Sequence, residues 1–276
     1  MLRTICFYGG LGNQMFQYAF YLSLKHKYPY AIYLFCVKGS RHCHNGFELS
    51  KVFKIRTLLR RGIYQIFNKL LKCSFMNEAI RNQAESLKYY SDVYEGIRGN
   101  VRFEGFWQSY KYFEGVENDI MKSFQFRKEK LSDKTKYICE CICNSESVSM
   151  HIRRGDYITE NRFIPSVEYY QKALDIIKKK NSHKGIKVFV FSDDIQWARE
   201  NLCVSDAVYV DHNKLSDNWQ DMFLMSQCKH NIITNSSFSW WAAWLNPNRE
   251  KIIVAPNVWF EENEKIDLIP NNWIKI

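Results

Sequence analysis

Two adjacent arginines give this chain its first chemical signal. They lie in His151-Ile152-Arg153-Arg154-Gly155-Asp156-Tyr157, directly after a strand that Val148 and Met150 can anchor, with Gly155 able to turn the backbone where that strand ends. Burying either guanidinium is costly without an anionic partner. An arginine fork donates paired, charge-assisted hydrogen bonds, the chemistry of phosphate recognition. The plainer reading is a surface turn in which Asp156 pairs with a neighbouring arginine. Two more groups occupy the same place relative to a strand. Asp193-Asp194 follows an apolar run at 187–191, and Asn235-Ser236-Ser237 follows another at 231–234 and opens a helix bearing Phe238, Trp240, Trp241 and Trp244. Hydroxyls and free N–H groups at a helix start favour a phosphate. A carboxylate such as Asp193 can accept from the N1–H and N2 amine of a guanine. Each group also reads as an ordinary helix cap. Their coincidence at strand carboxyl ends, where open α/β sheets bind ligands, points to one shared site.

Those residues need a frame, and the hydrophobic pattern supplies it. The spacing predicts strands over 4–8, 31–37 and 101–103, and helices over 14–27 and 112–124. Gly9-Gly10-Leu11-Gly12-Asn13 joins the first strand to the first helix, so backbone N–H groups converge there as another candidate anion site. Its spacing is not the Gly-x-Gly-x-x-Gly dinucleotide fingerprint. The loop Glu104-Gly105-Phe106-Trp107-Gln108-Ser109-Tyr110 mixes aromatic and polar residues, which suits either a sugar-packing surface or core. The region 39–99 has no readable rhythm. From Ser132 onward the rhythm is regular, with helices over 133–144, 165–180 and 217–227 between strands ending near Ile152, Phe191, Val210, Thr234 and Ala255. Strands alternating with helices predict a parallel, doubly wound sheet. At ~150 residues per domain, 276 residues give two domains, dividing within 125–146.

Composition narrows the function classes. No apolar run approaches the ~18 residues of a membrane-spanning helix, and the early Gly9, Gly10, Gly12, Asn13 and Gln14 interrupt any signal-peptide pattern. Nine scattered cysteines fit reduced thiols in a cytoplasm. Cys139, Cys141 and Cys143 alternate along a helix, so they do not converge on zinc, and His42-Cys43-His44 lacks a second ligand pair. No metal is expected. A net charge of +10 attracts polyanions, yet no zinc-finger or RNA-recognition spacing appears, so nucleic acid is not an expected partner. Residues 51–72 hold seven basic residues and no acid, with Ile63, Ile66, Phe67, Leu70 and Leu71 at helical spacing. This segment reads as a helix packed on the core with a basic outer face, or as one lying on an anionic membrane surface.

The glycine loop continued through Gln14-Met15-Phe16-Gln17-Tyr18, the arginine segment, Phe191-Ser192-Asp193-Asp194 with Trp197, and Asp221-Met222-Phe223-Leu224-Met225-Ser226 through Asn235-Ser236-Ser237-Phe238-Ser239-Trp240-Trp241 together resemble the α-1,2-fucosyltransferases of glycosyltransferase family 11. The resemblance covers nearly the whole chain, in the family's order. It implies an α/β, GT-B-like fold with two Rossmann-like domains facing each other across a cleft. Residues 1–130 are then the acceptor-binding half with the glycine loop, and 131–276 the half that binds GDP-fucose. The implied reaction is inverting, metal-independent transfer of L-fucose to the 2-hydroxyl of a galactoside in a surface glycan, with no cofactor. Consistently, the chain has no Asp-x-Asp. By the same resemblance Arg153 binds the β-phosphate and Arg154 supports it. His151 and Asp193 contact the nucleoside, and Ser236, Ser237 and Phe238 line the pyrophosphate and base. Gly10, Gly12 and Asn13 close over the phosphate and fucose. The general base is open among Asp156, Glu160 and Glu104, with Asp156 nearest the arginine turn. The implied setting is cytoplasmic, peripheral at the inner membrane face if 51–72 touches lipid. Rival readings are a transferase of another GDP-sugar or linkage, and a non-catalytic sugar-nucleotide-binding or membrane-associated protein.

Overall fold

Short apolar strands run parallel throughout this chain. The computed structural model describes residues 1–37, 45–55, 78–83, 91–94, 97–181, 185–260 and 267–276. Among these, every ladder between named strands is parallel, and the one antiparallel pairing is an isolated bridge between Phe53 and Phe126. The chain divides into two units, Met1–Arg127 with Lys265–Leu268, and Lys128–Glu264 with Ile269–Ile276.

In the first unit four strands, β1 (Leu2–Phe7), β2 (Ile32–Val37), β3 (Glu78–Gln83) and β4 (Asn100–Gly105), pair in the order β2-β1-β4-β3. Helix α1 (Leu11–Lys27) follows β1 and buries Met15, Phe16, Ala19 and Phe20. Trp107 stacks flat on Phe20, centroids 4.1 Å apart, and is fully buried, so of the two readings of the aromatic loop this residue is core. The helix expected over 112–124 is two pieces. A 3-10 turn at Tyr110–Phe113, capped by the Ser109 side chain, is separated from α3 (Glu117–Ser123) by Gly115 at φ 88, a left-handed conformation that stops a helix. The basic segment begins with a short helix α2 (Leu49–Val52), after which Phe53 is extended and buried. Residues 56–72, which carry the membrane reading, and His42-Cys43-His44 lie outside the described residues.

The second unit is a six-stranded sheet in the order β10-β9-β8-β5-β6-β7. Its strands are β5 (Glu146–Ile152), β6 (Ile186–Ser192), β7 (Val208–Val210), β8 (His230–Ile232), β9 (Ile253–Ala255) and β10 (Ile274–Lys275). The helices are α4 (Asp133–Cys143), α5 (Gly155–Thr159), α6 (Val167–Lys180), α7 (Ile195–Asn201), α8 (Trp219–Gln227) and α9 (Ser237–Leu245). Val148, Met150, Ile152, Val188, Val190, Ile232 and Val254 from the strands and Tyr170, Ala173 and Ile177 from α6 form one core. At about 1.5–3 kcal/mol per fully buried large apolar side chain, such a core can hold a sheet of short strands. Because β5 is central, its carboxyl end is flanked by those of β6 and β8, and whatever follows these three strands shares one edge. The sequence pattern predicts neither β3 nor β10.

Candidate active site

The arginine segment leaves β5 at that edge and turns directly into α5. Gly155 is needed here for space, as its φ is not left-handed: a Cβ on it would lie 2.9 Å from Asp193 Oδ2. That closeness comes from hydrogen bonding. The backbone N–H groups of Arg154 and Gly155 donate to the two Asp193 oxygens at 2.9 and 3.1 Å. Arg153 Nε donates to Asp156 Oδ1 at 2.8 Å and lies 3.1 Å from Asp193 Oδ2. Burial works against the Arg153 charge, but Asp156 and Asp193 outweigh it and raise its pKa. Both carboxylates engage Nε. Among the described residues Nη1 and Nη2 have no hydrogen-bonding partner, and the side chain is about one-third exposed. The result is a braced cation that keeps its outer donors available.

Arg154 is held differently. Its guanidinium stacks over Trp197 at 3.9 Å while Nε reaches Asp194 Oδ2 at 3.3 Å. Asp194 also caps α7 by accepting from Trp197 N–H. Asp193 thereby serves the arginine turn, while Asp194 both holds Arg154 and caps α7.

The serine segment lies beside this turn. Ser236 caps α9, its Oγ accepting from Phe238 N–H at 3.3 Å, and Ser237 is the first helical residue. His151 and Phe238 rings approach to 5.9 Å. Burial pushes the His151 imidazole down to about 3, so it is neutral. Asn235 is pinned from below by bonds to the Phe163 and Trp259 carbonyls. His151, Arg153, Arg154, Asp156, Asp193, Ser236, Ser237 and Phe238 are therefore gathered at one sheet edge.

Gly10, Gly12 and Asn13 belong to the first unit. Gly9 has φ 77, and a Cβ there would lie 2.6 Å from Asn13 Nδ2, so the loop closes tightly on its own helix. Asn13 Oδ1 accepts from Gln108 Nε2 at 2.7 Å. Of the other candidate bases, Glu160 pairs with Arg162 and Glu104 with Arg102.

Asp221 belongs to one of the family-like segments, but its sequence position assigns it no role. It stands in the first turn of α8, where desolvation pushes its carboxyl up to about 7 against a hydrogen bond from Asn213 Nδ2. A carboxylate perturbed by desolvation is a functional-site signal. An aspartate early in an apolar helix is the only sequence hint.

The parallel two-unit fold has solved counterparts. NodZ alpha-1,6-fucosyltransferase soaked with GDP-fucose matches with a TM-score of 0.55 at 15% identity, over 89% of this chain and 92% of that one. The ADP-heptose lps heptosyltransferase II of E. coli matches with a TM-score of 0.50 at 12% identity, over 100% and 90%. These likenesses give the fold, that of the GT-B glycosyltransferases. Among curated relatives, the alpha-1,2-colitosyltransferase of Escherichia coli is 33% identical over 97% of this chain and 96% of its own length. The E. coli O-antigen biosynthesis glycosyltransferase WbnK is 31% identical over 98% and 99%. The model of glycosyl transferase family 11 matches residues 1–276, and the chain belongs to that family.

Proposed function

We propose that this protein transfers L-fucose from GDP-fucose to the 2-hydroxyl of a galactoside in a surface glycan, with inversion and without a metal. One observation carries this reading: Arg153, braced through Nε by Asp156 and Asp193, keeps Nη1 and Nη2 available at the same sheet edge where α9 starts with its Ser236 cap. A diphosphate there receives a charge-assisted fork from Arg153 and the positive end of α9. As the C1–O bond breaks, charge grows on the departing GDP, and a fixed guanidinium stabilises it without reorganising.

Asp156 is assigned here as the brace of Arg153 and not as the base, because its contact to Nε would compete with accepting a proton. Asp193 likewise braces, since both its oxygens already accept backbone N–H groups. The guanine-reading carboxylate is better supplied by Asp221, which can accept from N1–H and the N2 amine. Arg154, locked on Trp197, supports the turn, and neutral His151 lies with Phe238 against the nucleoside.

A different deoxysugar on the same nucleotide is the alternative, favoured by the 33% identity to a colitosyltransferase. Measuring GDP release with GDP-fucose, with and without lactose, tests the proposal. Acceptor-dependent release that persists in EDTA is the expected result. Release only with another GDP-sugar supports the alternative, and GDP binding without turnover refutes both.

A further inference from the structure

Tyr157 joins the arginine turn to the start of α9. It follows Asp156 in α5 and is buried. Its hydroxyl donates to the Asn235 carbonyl oxygen at 2.8 Å, immediately before Ser236. That carbonyl is a fixed target. The Asn235 amide donates to Phe163 O at 2.9 Å and Trp259 O at 2.7 Å, and its side-chain oxygen accepts from Thr234 Oγ1 at 2.9 Å. The Tyr157 ring also lies under two cations, 5.9 Å from the Arg153 guanidinium carbon and 5.3 Å from that of Arg162. One aromatic side chain therefore touches the Arg153 cation through its face and the α9 cap through its tip.

Resting on the fucosyltransferase reading, we infer that Tyr157 is a positioning residue that sets the spacing between the Arg153 guanidinium and the Ser236-Ser237 helix start, so that one sugar-nucleotide diphosphate meets both. The two carboxylates hold the rigid, planar Arg153 guanidinium through Nε alone, so without a further contact the whole group could swing on that tether. The ring limits that swing, and the hydroxyl keeps the ring registered to the cap.

The test is a double-mutant cycle on GDP affinity, read by calorimetry with the full chain. Tyr157→Phe keeps the ring and deletes only the hydroxyl. We expect it to weaken GDP about five- to tenfold with Arg153 present, the loss typical of one good hydrogen bond, and less than about twofold in an Arg153→Ala background, because coupled sites are non-additive. An equal factor in both backgrounds makes Tyr157 merely structural and overturns the inference. So does no change in the parent, or collapse of the fold on losing this hydroxyl. An Arg153→Ala chain that binds GDP like the parent overturns the Arg153 assignment itself, and the inference falls with it.

Discussion

The glycine loop after β1 and the arginine turn after β5 share a sequence pattern: glycine beside polar residues at the end of a buried strand. In the structure they use their polar groups oppositely. Gln14 and Gln17 are fully buried and face inward. Gln14 holds the Gly9 and Gly46 carbonyls and the Glu48 N–H, and Gln17 links the Tyr8 N–H to the Gly105 carbonyl. In the arginine turn two carboxylates fix one guanidinium nitrogen and leave two outward. A polar motif can therefore be scaffold or reagent, and only the partners of each atom tell which.

The largest test of this contrast is Arg153→Ala. It should lower kcat by about 10²–10³, the usual loss on removing a donor aimed at developing charge; acceptor-dependent GDP release within a few-fold of the parent would erase the distinction. Gly155→Ala comes next. The new Cβ displaces Asp193, and a brace moved by a few tenths of an ångström should cost about ten- to a hundredfold in kcat/KM, with a lower melting temperature from overpacking. Asp221 gives a third test through pH. Its carboxyl, raised to about 7, is charged above that pH and neutral below it, so GDP affinity should fall by about tenfold from pH 8 to pH 6 as an acceptor is lost. Stability runs the other way. The folded pKa lies above the unfolded one, so the stabilising contribution is fully present below the unfolded value of about 3.9 and is lost as pH rises through the folded one. Asp221→Asn should flatten both profiles in parallel titrations of GDP binding and melting temperature. The smallest effect on turnover belongs to the glycine loop. Gln17→Ala should leave kcat within about twofold while costing about 1–3 kcal/mol for each backbone group left buried without a partner, measured by denaturant unfolding.

Much of the second unit is legible in the sequence because its strands are continuous apolar runs and several helices open on a capping residue. Ser132, Asp194 and Ser236 do cap helices at the places their side chains suggest. What escapes depends on tertiary partners. β10 is two residues long and exists by pairing with β9, which leaves no period to detect. β3 falls in a stretch whose pairing with β4, and not its own pattern, makes it a strand. Gly155 reads in sequence as a turn former, but the reason for it is an aspartate from 38 residues further along the chain. The raised Asp221 carboxyl depends on burial and on Asn213, neither of which local sequence reports.

The short return segment carries a practical lesson for protein engineering. Asp267, far along the chain, is tied to the first unit by the Lys111 ammonium at 2.6 Å and by the Ser109 hydroxyl, which donates to its carbonyl. A single scission near residue 130 therefore does not yield two self-sufficient polypeptides. The leading fragment would lack its borrowed clasp, and chimaeras that exchange this unit between relatives should transplant 265–268 with it.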